Sequence, residues 1–358
     1  MKDLQEVISK HIEANWPMLC FLKPKATRVV FWFSHGRVFE TSKTGPKFYI
    51  QAFDAQHPPE VWSGTSFDIF EIELGSFDNS SDESNAPLDM PWDAPMSQSS
   101  RALYEQMIQS AVVALKSGEM NKVVLSRTQD FSAKHLNWLD VLRRLFRVDQ
   151  NAFRYLLVHP KFGLWAGASP EVLIKSKGDH FSTMALAGTR WIEQTELPKW
   201  TNKEYDEHNW VIREILHGLE SAEKIQCSDT YDHKAAGVYH LRTDISGKLT
   251  HAESVLELAK KLHPTPAVCG FPKDSAFNFI RANEGYQREL YTGFVGLYDH
   301  QAQYAEFYVN LRCLYFSDDQ FTLFAGGGIT RESNPQKEWV ETQRKMTTMG
   351  QVIAPFID

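Results

Sequence analysis

In the first seventeen residues, MKDLQEVISKHIEANWP, the apolar positions Leu4, Val7, Ile8 and Ile12 recur at the spacing of one helix face. No continuous apolar run precedes them, so the stretch reads as a packed helix and not as a secretory leader. Over residues 27 to 74 the pattern changes to short apolar runs (RVVFWFSHG, KFYIQAF, FDIFEIEL) set between Gly and Pro, which predicts strands joined by turns. Residues 75 to 100, GSFDNSSDESNAPLDMPWDAPMSQSS, are rich in Ser, Asp and Pro and too polar to pack by themselves, so a long surface loop is expected. Helical spacing returns at Leu103, Met107, Ile108, Ala111, Val112 and Leu115, with Gly118 in the place of a left-handed cap.

NKVVLSRTQDF follows as a strand, and RYLLVHP, LWAGAS, EVLIKS and FSTMALAG lead to a helix at 203 to 220. A further set, ELYTGFVGLYD, AEFYVNLRCLYF and QFTLFAGGG, leads to a final helix at about 335 to 350. Two rounds of strands followed by a helix indicate an α+β fold and suggest internal duplication, although no residue-level repeat accompanies it. The expected organisation is one domain over 1–358: an N-terminal helix and strands (1–74), a flexible loop (75–100) and a core (101–358).

Composition narrows the function classes. A chain of 358 residues that is 42% hydrophobic buries a large core, and its net charge of -7 carries no basic stripe. Polyanion binding needs such a stripe, so neither nucleic acid nor an anionic membrane is an expected partner. No run approaches the roughly 18 apolar residues of a membrane span. Cys20, Cys227, Cys269 and Cys313 form no CxxC pair, so they read as reduced, buried thiols of a cytoplasmic protein. Nothing demands more than a monomer.

Two acidic pairs stand out, Glu204 with Glu207 in NKEYDEHNWV and Glu338 with Glu341 in QKEWVETQRK. Spacing of i, i+3 points both carboxylates of a pair the same way on a helix. Glu204 and Glu207 also continue the stripe of Val211 and Ile215, which should meet the core. Four such carboxylates facing one another would repel unless a cation lay between them, and a hard divalent ion, Mg²⁺, suits oxygen ligands. Each pair alone reads equally as a solvated helix face, with Lys203 or Lys337 nearby, and the sequence does not bring the pairs together.

Gly326, Gly327 and Gly328 in FAGGGIT would let backbone N–H groups approach an anion, or make a bulge, but they match neither a Walker loop nor a dinucleotide fingerprint. Lys122 opens an apolar strand, where burial would lower its pKa and permit base chemistry, though a lone Lys is ordinarily a surface residue. Arg312, inside the apolar VNLRCLYF, needs an anionic partner if it points inward. The run MALAGTRWI breaks at Gly188-Thr189 behind the small Ala187, which reads as a strand entering a turn.

Taken in order, NKVVLSR, GASPEVLI, MALAGT, KEYDEH, HPTPAVCGFP, ELYTGFVG, VNLRC, FAGGGI and KEWVET closely resemble the chorismate-utilising enzymes, and among them the isochorismate synthases. The resemblance covers about residues 100 to 350 and is specific as an ordered set. It implies two β-sheets packed together with helices outside, a Mg²⁺ cofactor and chorismate as substrate. In such an enzyme water adds at C2 of the ring as the C4 hydroxyl leaves, which needs a base and an acid. The base matches Lys122 and the acid Glu171. Glu207 and Glu341 match direct metal ligands, and Glu204 and Glu338 the outer pair. Arg312 and Tyr291 match the pair receiving the enolpyruvyl carboxylate, Lys345 a further substrate-side cation, and His240 a pocket histidine. Gly326 to Gly328 would donate N–H groups near the ring carboxylate.

Aminodeoxychorismate synthases resemble this chain but carry a nucleophilic Lys where Ala187 stands, and anthranilate synthases lack a Lys at the place of Lys122. With a base and no protein nucleophile, water is the expected attacker, and Ala187 with Gly188-Thr189 leaves it room. The resemblance thus implies an isomerase whose product feeds menaquinone or siderophore biosynthesis. Salicylate synthases share Lys122 and Glu171 and go on to expel pyruvate, but HPTPAVCGFP looks more like the synthases that stop at isochorismate. A protein of this fold that binds without turnover is a further alternative, set against the presence of every residue type the chemistry needs.

Overall fold

The computed structural model describes residues 2–36, 45–55, 58–77, 98–191, 200–235, 238–251 and 254–357. Its strands form two nine-stranded antiparallel sheets. The first runs, in spatial order, through Gly270–Phe271, Lys122–Ser132, Gln320–Ile329, Cys313–Ser317, Gly163–Ser169, Phe153–His159, Met18–Leu22, Arg28–Ser34 and Phe67–Glu73. The second runs through Glu223–Cys227, Val238–Lys248, His180–Trp191, Val172–Lys177, Tyr304–Val309, Phe294–Asp299, Pro46–Gln51 and Glu60–Ser63, with Tyr231–Ala235 also paired to Val238–Lys248.

Strand alternation sends one set of side chains from each sheet into a shared aromatic layer. There Phe21, Trp32, Phe153 and Trp165 of the first sheet meet Phe48, Trp62, Val295 and Tyr308 of the second. Phe153 stacks on Tyr308 with ring centroids 4.7 Å apart. The outer faces are covered by helices: Lys2–Glu13, Trp138–Arg147 and Pro335–Ile353 over the first sheet, and Asn202–Gly218 and Ser254–Leu262 over the second. The expected α+β layering is therefore present. Each sheet draws strands from both halves of the chain, so the pairing lends no support to the suggested duplication.

Local signals set the helix ends that matter for the site. Gln98–Ser117 stops before Gly118, whose φ of +89° suits glycine, as its position predicted. Asn334 accepts from the Lys337 N–H at 3.0 Å and Pro335 follows it, fixing the start of Pro335–Ile353. Thr201 caps Asn202–Gly218, its N–H donating to Glu204 Oε2 at 2.8 Å.

Several expectations need correction. Leu103 is 64% exposed, and Tyr104 takes its place on the buried face with Ile108, Ala111 and Leu115. Val7 likewise lies outside the buried face of Leu4 and Ile8. Cys227 is exposed, unlike the other three cysteines. ELYTGFVGLYD begins as a turn and becomes a strand only at Phe294, because Thr292 has φ +60°. The expected loop at 75–100 falls for the most part outside the described residues, and Leu74–Phe77 at its start is a helical turn. Among the described residues no helix is long and apolar enough to cross a membrane.

Candidate active site

One cavity of about 330 Å³ gathers most of the candidate residues. Lys122, Glu171, Ala187, Gly188, His240, Tyr291, Arg312, Gly326, Gly328 and Lys345 all line it, together with Glu204, Glu207, Glu338 and Glu341. Gly327 is not among the lining residues, and the side chain of Thr189 lies outside the described residues. The two acidic pairs that the sequence left apart thus open onto the same space.

The cavity floor is the glycine run. Gln320–Ile329 pairs with Lys122–Ser132 so that Gly328 sits across from Val124 and Gly326 across from Ser126. A Cβ at Gly328 would lie 2.9 Å from Lys122 Cε and 3.8 Å from Glu207 Oε1. One at Gly327 would lie 3.0 Å from Glu338 Oε2, and one at Gly326 3.1 Å from the Tyr291 hydroxyl. Glu338 and Lys122 crowd the place of a side chain at Gly327 and Gly328, and the Leu125 carbonyl at 2.9 Å and the Tyr291 hydroxyl do so at Gly326. This close approach is a firmer reason for the three glycines than a turn or bulge.

Two lysines offset one carboxylate of each acidic pair. Lys122, 5% exposed, pairs with Glu207 at 2.7 Å. Lys345 pairs with Glu341 at 2.8 Å and donates to the Gly326 carbonyl at 2.7 Å. Burial works to raise the Glu341 carboxyl, but Lys345 first and Lys122 with it bring it below its usual range. Glu207 and Glu341 thus each meet an ammonium group, a partner that the argument from a divalent cation had not included.

Glu171, partly buried at the foot of Val172–Lys177, differs in kind. Desolvation pushes its carboxyl up to about 7, although Lys122 and Lys345 pull the other way. At neutral pH such a group holds a proton about half the time. His240 donates Nδ1–H to the Gly188 carbonyl at 2.8 Å, and burial pushes its pKa down to about 4, so the ring is neutral. Tyr291 is buried, stacked on Phe324 at 5.2 Å, and desolvation raises its hydroxyl well above the usual range.

The break expected at Gly188-Thr189 is a bulge and not a turn. His180–Trp191 continues beyond it, but its register against Val238–Lys248 slips between Ala187 and Arg190, with Gly188 at φ +66°. Ala187, 6% exposed, is left at the cavity wall with only a methyl group. Arg312 also departs from expectation: it lies between Tyr304–Val309 and Cys313–Ser317, at φ +48°, and not within a strand. Its guanidinium donates to the Lys345 carbonyl at 3.2 Å and to Thr348 Oγ1 at 2.9 Å, which steadies it against the final helix.

Sequence reasoning missed Arg242 and His233, which also line the cavity. The signal was the alternation His240, Arg242, Asp244 along Val238–Lys248, one face of a strand. It missed as well the capping role of Glu204, legible as T-x-x-E in TNKE.

The pattern of the family described as chorismate binding enzyme matches residues 69–354. The chain belongs to the chorismate-binding enzymes. Isochorismate synthase EntC of Escherichia coli (strain K12) is 33% identical over 258 residues, which are 69% of this chain and 66% of that protein. The chain thus aligns with just under two thirds of the length of that curated relative. A crystal structure assigned as the 2,3-dihydroxybenzoate-specific isochorismate synthase DhbC from Bacillus anthracis superposes with a TM-score of 0.76 at 24% identity, covering 97% of this chain and 99% of that one. The menaquinone-specific isochorismate synthase MenF from Escherichia coli gives a TM-score of 0.73 at 22% identity, over 95% and 89% of the two chains. At those identities the two structures establish the chorismate-binding fold, with its paired sheets and outer helices.

Among the described residues no three His, Cys, Asp or Glu converge as a ready-made metal cluster. The four glutamates nevertheless line one cavity, and all are oxygen donors of the kind a hard divalent cation takes.

Proposed function

We propose that the protein is an isochorismate synthase, acting on chorismate as a single chorismate-binding domain, a cytoplasmic monomer, and supplying menaquinone or siderophore biosynthesis. The observation that carries the reading is the meeting of Lys122, Glu171 and the bare wall at Ala187 in one cavity. Lys122, released from its ion pair with Glu207 and in its neutral amine form, takes a proton from the water that adds at C2. The two ring double bonds shift in turn, and Glu171 gives its proton to the C4 hydroxyl, which departs as water; one water is consumed and one released. A carboxyl held near 7 carries that proton at physiological pH, where an ordinary Glu would have lost it.

Arg312 and Tyr291 receive the enolpyruvyl carboxylate, and Lys345 adds positive charge on the substrate side. His240, neutral and held by Gly188, shapes the wall beside Ala187. Glu207 and Glu341, with Glu204 and Glu338 outside them, would hold Mg²⁺, which supplies positive charge against the ring carboxylate. With a methyl at position 187, no amine stands where the aminodeoxychorismate synthases carry their nucleophilic Lys.

The test is to incubate the purified protein with chorismate and Mg²⁺, without ammonium, and follow products by NMR. Isochorismate in equilibrium with chorismate, lost on adding a chelator, is the expected result. Salicylate with an equal amount of pyruvate would replace this reading with salicylate synthase. Chorismate binding without product would leave a binding protein of the same fold.

A further inference from the structure

Lys122 sits at the edge of its sheet, and what holds that edge is unusual. The neighbouring strand Gly270–Phe271 is two residues long and pairs only with Lys122 and Val123. Beyond it, the backbone of Lys122–Ser132 bonds a buried ion pair in place of a strand. Arg288 Nη2 donates to the Val124 carbonyl at 2.7 Å, and Ser126 N–H donates to Glu284 Oε1 at 2.7 Å. The Ser126 hydroxyl adds a second bond to Glu284 Oε1 at 2.8 Å.

The two side chains, each 1% exposed, close on one another, Arg288 donating through Nη2 at 2.5 Å and through Nε at 2.8 Å. The remaining arm of Arg288, Nη1, reaches the Val268 carbonyl at 2.9 Å and Thr292 Oγ1 at 3.2 Å. Val124, Val268 and Thr292 all line the cavity, on three separate segments of chain. A planar guanidinium with donors fixed in a fork sets these segments at defined separations, which a flexible ammonium would not do.

We propose that Glu284 and Arg288 are positioning residues for the reaction, a buried ion pair that takes the place of a missing strand and fixes the Lys122 strand relative to the opposite cavity wall. This rests on the isochorismate synthase reading for what Lys122 does, but not for the geometry. Breaking a buried pair is strongly destabilising, whereas replacing both partners with apolar residues of similar size is often neutral. Turnover and local exchange, read beside stability, separate a positioning role from a merely structural one.

The experiment compares wild type with Arg288→Lys and with the double variant Glu284→Met/Arg288→Met, measuring unfolding midpoint, steady-state kinetics with chorismate and Mg²⁺, and amide hydrogen exchange. The double variant is expected to fold with a lowered melting temperature, since the Val124 and Val268 carbonyls and the Ser126 N–H lose their partners, and to lose tenfold or more in kcat. Its Ser126 amide should exchange at least a hundredfold faster while the rest of the sheet stays protected. Arg288→Lys, if folded, should fall between the two in kcat. A double variant with the kcat of wild type would overturn the proposal, and so would an unchanged Ser126 amide. If wild type itself fails to convert chorismate, the functional reading fails separately, and the exchange result alone decides whether the pair holds the strand. Should the double variant not fold, Arg288→Lys and Glu284→Gln carry the same kcat and exchange criteria.

Discussion

Replacing Glu171 with Gln substitutes a permanently neutral side chain of nearly the same shape for a carboxyl that the fold prefers to keep protonated. The folded-state value near 7 exceeds the ordinary 4.5 because desolvation outweighs the attraction of Lys122 and Lys345. Below pH 4.5 the group is protonated in both folded and unfolded chains, and Glu and Gln should be equally stable. As pH rises from 4.5 to 7 the unfolded chain releases its proton while the folded chain retains it, so wild type loses stability over this window and the variant does not. At roughly 1.4 kcal/mol per pH unit, the interval amounts to an advantage for the variant of about 3 kcal/mol above pH 8. Urea unfolding of both proteins at pH 4 to 9 measures it directly. Turnover should move the other way, with isochorismate formation by the variant reduced a hundredfold or more. A stability difference that stays flat across pH, or that favours wild type at alkaline pH, would refute the claim that the Glu171 carboxyl is desolvated, and an active variant would remove it as the acid.

Lys122→Ala should abolish isochorismate formation while the circular dichroism spectrum is kept, and near-normal turnover would show that another group takes the proton from water. Ala187→Met, projecting into a cavity of about 330 Å³, should raise KM for chorismate about tenfold with little change in melting temperature, since the space beside it is open; a KM like wild type would place the substrate elsewhere. For His240 the sign of linkage is the reverse of Glu171. Its folded-state value near 4 lies below the ordinary 6.5, so the stability it contributes is complete above pH 6.5 and is lost as pH falls towards 4. His240→Gln should flatten stability between pH 6.5 and 4, and an unchanged acid limb in urea titrations would contradict the neutral buried ring.

Much of this architecture is written in local pattern, and the exceptions have physical causes. Strands written as apolar runs between turn residues, such as Arg28–Ser34 and Gln320–Ile329, were legible, as were the helix ended by Gly118 and the final helix from about residue 335. The two-residue strand Gly270–Phe271 has no periodicity to read, because its existence depends wholly on the neighbour it pairs with. Leu103 misled because an apolar residue on an exposed helix face looks, in sequence, like one more member of the stripe. At the site, residue types and order pointed to Lys122, Glu171 and the four glutamates. The ion pair of Lys122 with Glu207 was hidden, since the two meet only through tertiary contact, whereas Lys345 lies one turn from Glu341 on the same helix. Arg288 was hidden as well: in sequence it is one arginine four residues after a glutamate, and in the fold it is the hub of three cavity walls.

The pairing of Lys122–Ser132 with Gln320–Ile329 also has a consequence for how the protein is made. During synthesis from the N-terminus, the strand bearing the base emerges long before the glycine floor beside it, and the helix carrying Glu338 and Glu341 emerges later still. Contacts so distant in sequence form slowly and reward the chain only near the end of folding. A ribosome-bound chain halted before residue 320 would carry Lys122, Glu171 and Glu207 yet have no cavity in which they meet, so substrate recognition arises only once the late strand is inserted beside the early one.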